Sequence, residues 1–469
     1  MAVATQNSGF LTLLKKRNFL RLWLAQLISM TILNASNYAL LVLIEEVTGS
    51  TTLIGLAIIC FSLPAFLFSA PAGVFVDRMD KRRVLWGSNL LRAAATFIFV
   101  ISLLFNRHQL VPVFLLTFLV SVIGQFFSPA EGSSIPLLVN EDELMPALSL
   151  FNITFMLSQA LGFILLAPIA LSVLPIFTIA QFTIHPVDQL YAIIGVLYVV
   201  CALLIGSISV ESFKQKVGMS ASKASNTPVA AETLNIMGNV WSEMLQGWSF
   251  IRRNKRLFLS VVQLSFAGVL ILVIGELATP IVTKLLHLPA RAMAFVFAPA
   301  GIGLVLGSIF MPRITMRIGR SRAIFIGTVI LAIATLLLPL TTITARALQP
   351  NGWNANPLLL VVIAFFMFCA GFGLDFVNIP AQTAMQEQTP DWIKGRVLAL
   401  QLMLYNAFAI PIILSIGIFS DFAGIDKVLY LMSICSIGFG IWGVYYQRKH
   451  PREMTANEEP YKQEGNASV

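Results

Sequence analysis

Charge is what this chain of 469 residues has least of. Asp, Glu, Lys and Arg make up 11% of it, where a soluble globular domain carries roughly 25%. A water-facing surface for so long a chain cannot be built from that supply. Cysteine is as scarce, with four residues, so a disulfide-stapled scaffold is excluded. Cys60, Cys201, Cys369 and Cys435 each lie inside an apolar run and read as small packing residues. The four histidines, His108, His185, His287 and His450, stand far apart and no C-x-x-C occurs, so no metal site is expected. Walker A, HExxH and G-x-S-x-G patterns are missing as well. With no polar segment long enough to carry catalysis, the chain reads as no enzyme, needs no cofactor, and must draw energy from an ion or substrate gradient.

What is abundant is hydrocarbon. Apolar types make up 57% of the residues, mean hydropathy is +0.83, and 35 residues are Phe. That excludes a disordered chain and points to an all-α polytopic membrane protein. A helix needs roughly 20 apolar residues to cross the bilayer core. Runs of that kind are Phe19–Ile44, Leu53–Val76, Val84–Leu104, Leu110–Phe127, Leu148–Leu174 and Leu190–Ile208 in the first half. The second half has Leu257–Val282, Phe295–Met311, Ala323–Thr342, Leu358–Pro380, Val397–Phe419 and Val428–Tyr445. Twelve spans result. Strands are not expected, because barrel strands are short and alternate in polarity. The first run is too long for a signal-peptide core, so it is expected to remain in the mature protein.

The net charge of +9 comes from basic clusters spread between the runs. That pattern sets membrane topology and argues for no nucleic-acid partner. With the amino terminus cytoplasmic, 25 of the 31 basic residues fall on the cytoplasmic side. Five (Arg107, Lys284, Arg291, Arg346 and Lys427) fall opposite, and Arg92 lies within a span. The positive-inside rule therefore places both termini in the cytoplasm.

Residues 211–256 form the longest polar stretch. The part from Lys214 to Ala231 reads as a flexible linker. Leu234, Met237, Trp241, Met244, Trp248 and Ile251 then recur at three- and four-residue spacing before Arg252, Arg253, Lys255 and Arg256, an amphipathic helix suited to the inner membrane surface. The expected organisation is a cytoplasmic amino terminus (1–18), a six-helix bundle (19–210), a linker (211–256), a second six-helix bundle (257–447) and a cytoplasmic tail (448–469). Paired halves of this kind are typical of secondary transporters, whose site lies near midplane between the repeats. The halves also share a motif: Gly73-x-x-x-Asp77-Arg78-x-Asp80-Lys81-Arg82-Arg83 follows the second span, and Pro312-x-x-x-Met316-Arg317-x-Gly319-Arg320-x-Arg322 follows the eighth.

The first of these segments resembles the loop 2–3 signature of the major facilitator superfamily. Asp80 stands where most members have Gly, as in the branch that includes enterobactin exporters and macrolide efflux pumps. Arg17-Asn18-Phe19, Arg21-Leu22-Trp23, Gln26 and Ser29 match that branch in the first span. Phe127 to Val139, Gly247 to Asn254, and Gln382 to Val397 match it further on. Two departures stand out: Ile32 and Leu33 occupy positions where branch members carry Gly-Asp, and Met316 and Pro312 replace the acid and the Gly of the motif in the second half.

The resemblance implies two six-helix bundles working by alternating access. It also implies a gate built from Gly73, Asp77, Arg78, Lys81, Arg82, Glu131 and Arg396. In that gate Asp77 faces the start of the eleventh helix near Gly395, Arg396 and Val397, and complements its free N–H groups. Arg78 is expected to pair with Glu131. The plainer reading of Lys81, Arg82 and Arg83 is topology alone. Acids inside spans are functional hypotheses by default, so Glu276 and Asp375 are the candidates for proton coupling; Glu276 is alternatively close enough to the outer surface for water to satisfy it. Asn34, Asn37, Asn152, Gln159, Asn378, Gln382, Gln401 and Asn406 are candidates to line a central cavity, with helix–helix hydrogen bonding as the alternative for each. Gly301-x-Gly303-x-x-x-Gly307 follows no strand and reads as a packing face, not a nucleotide loop.

The resulting expectation is a monomeric exporter in a prokaryotic inner membrane. Its partners are membrane lipid, protons and an amphiphilic small molecule, such as a siderophore or drug-like compound. Alternatives of the same fold are a lipid or lysolipid flippase and a solute importer. From other classes come a membrane enzyme, which lacks clustered acids in its outer loops, and a non-transporting scaffold or sensor.

Overall fold

The computed structural model describes residues 12–140, 143–179, 182–213, 247–350, 352–390 and 394–450. They form helices α1 (Arg17–Thr48), α2 (Thr51–Arg78), α3 (Lys81–Phe105), α4 (Leu110–Leu138), α5 (Leu144–Ala160, continuing through a π turn at Leu161–Leu166 into Ala167–Val173) and α6 (Pro186–Gly206). The second half supplies α7 (Lys255–Pro280, with a π turn at Ile281–Leu285), α8 (Met293–Ile318), α9 (Arg320–Leu348), α10 (Pro357–Gln388), α11 (Lys394–Ala423) and α12 (Ile425–Lys449). Among the described residues eleven helices are long and apolar enough to cross a membrane; α8 adds a shorter apolar stretch, Phe295–Met311. The amphipathic segment expected from Leu234 falls largely on 214–246, outside the described residues, while 247–253 are helical.

Several helices outrun their apolar runs. α4 continues to Leu138 and α10 to Gln388, because backbone hydrogen bonding does not stop where the hydropathy does. Polar caps mark the starts. Ser50 accepts from the Leu53 N–H, Asp80 from those of Arg82 and Arg83, and Asn356 from that of Leu358 beside Pro357. Between α1 and α2 the chain turns at Gly49, whose φ of 61° lies in the left-handed region that glycine adopts without strain.

The expectation of no strands fails in one place. Phe177–Ile179 and Phe182–Ile184 pair antiparallel in the α5–α6 connection. The segment repeats Phe-Thr-Ile on both arms, and β-branched and aromatic residues favour a short hairpin.

By compactness the chain divides into two units. One comprises Met1–Gly238, Leu272–Ala298 and Ala409–Val428; the other Asn239–Ile271, Pro299–Phe408 and Leu429–Val469. The far ends of α7 and α11 thus pack with α1–α6. A core of Leu13, Phe19, Leu22, Val76, Leu85, Phe127, Ala130 and Ile205 fills the amino-terminal end of the first unit. In the second unit Met311, Ala323 and Phe376 form a smaller one. Leu91, Ile98 and Ile101 of α3, and Val111, Leu115 and Leu119 of α4, are exposed. Such continuous apolar faces suit lipid rather than water.

Candidate functional site

In the first unit the buried polar centre is Arg92. It is 1% exposed and sits on α3, facing Gly124, Phe127 and Glu131 of α4. Its Nη1 donates to Ser29 Oγ of α1 at 3.1 Å. The guanidinium lies 5.2 Å over the Phe127 ring and 5.7 Å from the Tyr198 ring of α6, near enough for cation–π attraction. Gly124 makes room for it, since a Cβ there would stand 2.6 Å from Arg92 Nη2. Glu131 is buried, with Oε1 lacking a hydrogen-bond partner, and it feels the Arg92 charge through space. Asn89 extends the cluster by accepting from Ser29 at 3.3 Å.

At the end of α1 remote from the amino terminus, a second polar centre joins α1, α2, α7 and α11. Asp421 of α11 accepts from the Thr51 and Thr52 N–H groups at 2.8 and 2.9 Å and from the hydroxyls of Ser50 and Thr52 at 2.7 and 2.8 Å. Lys284 of α7 donates to Asp421 and to Thr51 Oγ1, each at 3.0 Å. A carboxylate on the first turn of α2 satisfies free donors and complements the helix dipole. Thr283 donates to Glu45 of α1. About two turns back along α7, Glu276 is fully buried and neither of its carboxyl oxygens has a partner.

In the second unit Asp375 of α10 is 5% exposed, with Oδ2 unpartnered. It packs on α8 at Gly307, where a Cβ would stand 2.8 Å from Oδ2. This unit keeps its helices close with glycine in the same way elsewhere, at Gly303 against Phe372 and at Gly327 against Phe376.

The remaining sequence candidates scatter. Asn37 lines a small cleft in the first unit with Ser36, Thr96, Thr117, Ser121 and Tyr191. Asn34 instead donates to the Met30 carbonyl of its own helix at 2.8 Å. Asn152 and Gln159 share α5 and are both exposed; on α10, Asn378 is half-buried and Gln382 exposed. Gln401 is buried and Asn406 half-buried on α11. Gly73 lies in α2 with open space around it. Lys81 begins α3, and Arg82 donates to the Gly206 carbonyl of α6. The side chains of Asp77, Arg78 and Arg396 lie outside the described part, so the gate they were expected to form is not seen. Among the described residues no group of three or more His, Cys, Asp or Glu gathers that could hold a metal ion.

Sequence reading missed the roles of Arg92, Lys284 and Asp421. Arg92 carried the signal of any charge inside a span. Asp421 closes the eleventh apolar run, and Ser50-Thr51-Thr52 open the second; pairing the two needed the tertiary fold.

Comparison with known proteins agrees with this architecture. A model of the Major Facilitator Superfamily matches residues 22–412. Macrolide efflux protein A of Streptococcus pyogenes is 29% identical over 154 residues, 32% of this chain and 38% of that protein; the chain thus aligns with well under half of that relative. The uncharacterized MFS-type transporter YfiS of Bacillus subtilis is 24% identical over 390 residues, 82% of each chain. A crystal structure of a bacterial homolog to the human lysosomal transporter Spinster, inward-facing and unoccupied, superposes with a TM-score of 0.65 at 11% identity, covering 93% of this chain and 97% of that one.

Proposed function

The chain belongs to the major facilitator superfamily, and from that premise we propose that it is a proton-coupled exporter of an amphiphilic small molecule. It works by alternating access, with both termini cytoplasmic. The macrolide efflux relative supports the direction and the substrate class; the basic residues concentrated on one side support the orientation.

The observation that carries the proton reading is Asp375. It is a membrane-embedded acid, 5% exposed, with an unpartnered carboxyl oxygen and glycine instead of a cation against it. The one donor acting on the group is the Ser308 backbone N–H; a buried carboxylate with no cation beside it is costly, so such a group changes charge when the transport cycle wets it. In this reading Asp375 binds the proton that the exported molecule displaces. The cluster of Asp421, Lys284, Thr51 and Thr52 is the outer closure, and Asp77 with Arg396 closes the inner end in the alternate state. Each closure has to be weak enough to open, on the order of 1 kcal/mol per exposed ion pair.

The test is accumulation of a fluorescent macrolide or cationic dye in inverted membrane vesicles, with a pH gradient imposed and then collapsed by an uncoupler. Accumulation is expected to follow the gradient and to disappear in Asp375→Asn. Asp77→Asn is expected to insert normally and lose most transport. Accumulation indifferent to the uncoupler rules out proton exchange.

A further inference from the structure

Glu276 has surroundings unlike those of Asp375. It projects from α7 into a slot formed by glycines on two other helices. A Cβ on Gly55 of α2 would stand 2.6 Å from Glu276 Oε1, and one on Gly417 of α11 would stand 2.8 Å from the same atom. Ile413 borders the slot on the α11 side. The side chain is 0% exposed and both oxygens are unpartnered. The slot sits directly beneath the outer closure, since Asp421 lies one turn along α11 from Gly417.

The charged groups at this end are already engaged. Lys284, from α7, is committed to Asp421 and Thr51. Asp421, from α11, is held by the start of α2 and acts on Glu276 as a like charge. Glu45, from α1, accepts from Thr283. Arg107, from the α3–α4 connection, pairs with Asp188 and Glu46. An ionised Glu276 in the closed slot would therefore lack a donor and face a neighbouring anion, an arrangement that is strongly destabilising. The neutral acid fits the slot.

We propose that Glu276 is a proton latch on the outer closure. α2, α7 and α11 come together only around a protonated Glu276, and their separation wets the carboxyl and lets the proton go. The proton enters and leaves from the same side, so the latch lets external acidity bias the closure without carrying protons across the membrane. The inference rests on the transporter reading only in requiring that this end opens. Closing takes up one proton, so the closed form is favoured as pH falls and lost as pH rises. For a single linked proton the closed-to-open ratio changes by up to tenfold per pH unit.

The test needs neither substrate nor gradient. Spin labels are placed at His108 and Phe422, on the α3–α4 connection and the outer end of α11, after replacing the four native cysteines by serine. Distances are read by pulsed dipolar spectroscopy in lipid nanodiscs between pH 4.5 and 8.5. In the unsubstituted background the long-distance population is expected to grow with pH along a one-proton curve. Glu276→Gln is expected to hold the short distance throughout, and Glu276→Asp, which keeps the ionisable group, to retain the pH response. Distances that ignore pH in the parent protein, or a Glu276→Gln protein that opens with pH as the parent does, overturn the latch. If Glu276→Gln does not fold, Glu276→Asp decides, because a pH-blind Glu276→Asp also overturns it. A latch without export leaves this inference standing and removes the exporter reading; export lost in Asp375→Asn alongside flat distances does the reverse.

Discussion

Glu131 on α4 and Asp375 on α10 are both buried acids on the fourth helix of their respective halves, each with an oxygen lacking a hydrogen bond. Their neighbours differ. Glu131 has the permanent charge of Arg92 at hand, itself fixed by Ser29, Phe127 and Tyr198. Asp375 has Gly307. A carboxyl within reach of a guanidinium that stays charged has a fixed positive charge acting on it. A carboxyl beside a glycine has only the proton to neutralise it, so its charge is free to follow the transport cycle.

The comparison is most easily broken at Arg92. Arg92→Met removes the Ser29 bond, both ring contacts and the positive charge acting on Glu131, so a loss of about 1–3 kcal/mol is expected, read as a lower thermal midpoint in detergent. Adding Glu131→Gln to that variant is expected to recover part of the loss; a double variant no more stable than the single one would disprove the coupling. Gly307→Ala forces a methyl onto Asp375 and is expected to cost about 1–3 kcal/mol and to stop transport. Gly124→Ala presses on the far end of a flexible side chain and should cost less. Asp375→Asn sharpens the contrast from the other side, with stability within about 1 kcal/mol of the parent while gradient-driven efflux vanishes. The smallest effect is expected for Lys284→Gln, which weakens a partly exposed ion pair by about 1 kcal/mol or less and should move the opening of the α2–α11 end to lower pH in the spin-label measurement.

Much of this was legible in one dimension. Apolar run length located the helices, since hydrocarbon thickness leaves few other solutions, and Glu276 and Asp375 stood out as charges where charges are expensive. Their neighbours were hidden. That Gly55 and Gly417 flank Glu276, or that Asp421 caps α2, depends on contacts more than 100 residues apart in sequence, and no local period encodes them. Asn34 shows the limit from the other side: its spacing from Asn37 on one helical face suggested a shared polar lining, yet its side chain bonds within α1. The hairpin at Phe177–Ile184 escaped because a six-residue β pattern between long spans is too short to register against them.

The π turn at Ile281–Leu285 gives α7 a swivel. Such a turn accommodates an extra residue in the helical ladder, and passing that residue along the ladder rotates everything beyond it by roughly 100°. Lys284 rides on the turn itself. Its ammonium would therefore swing away from Asp421 if α7 rotated about its axis at this turn.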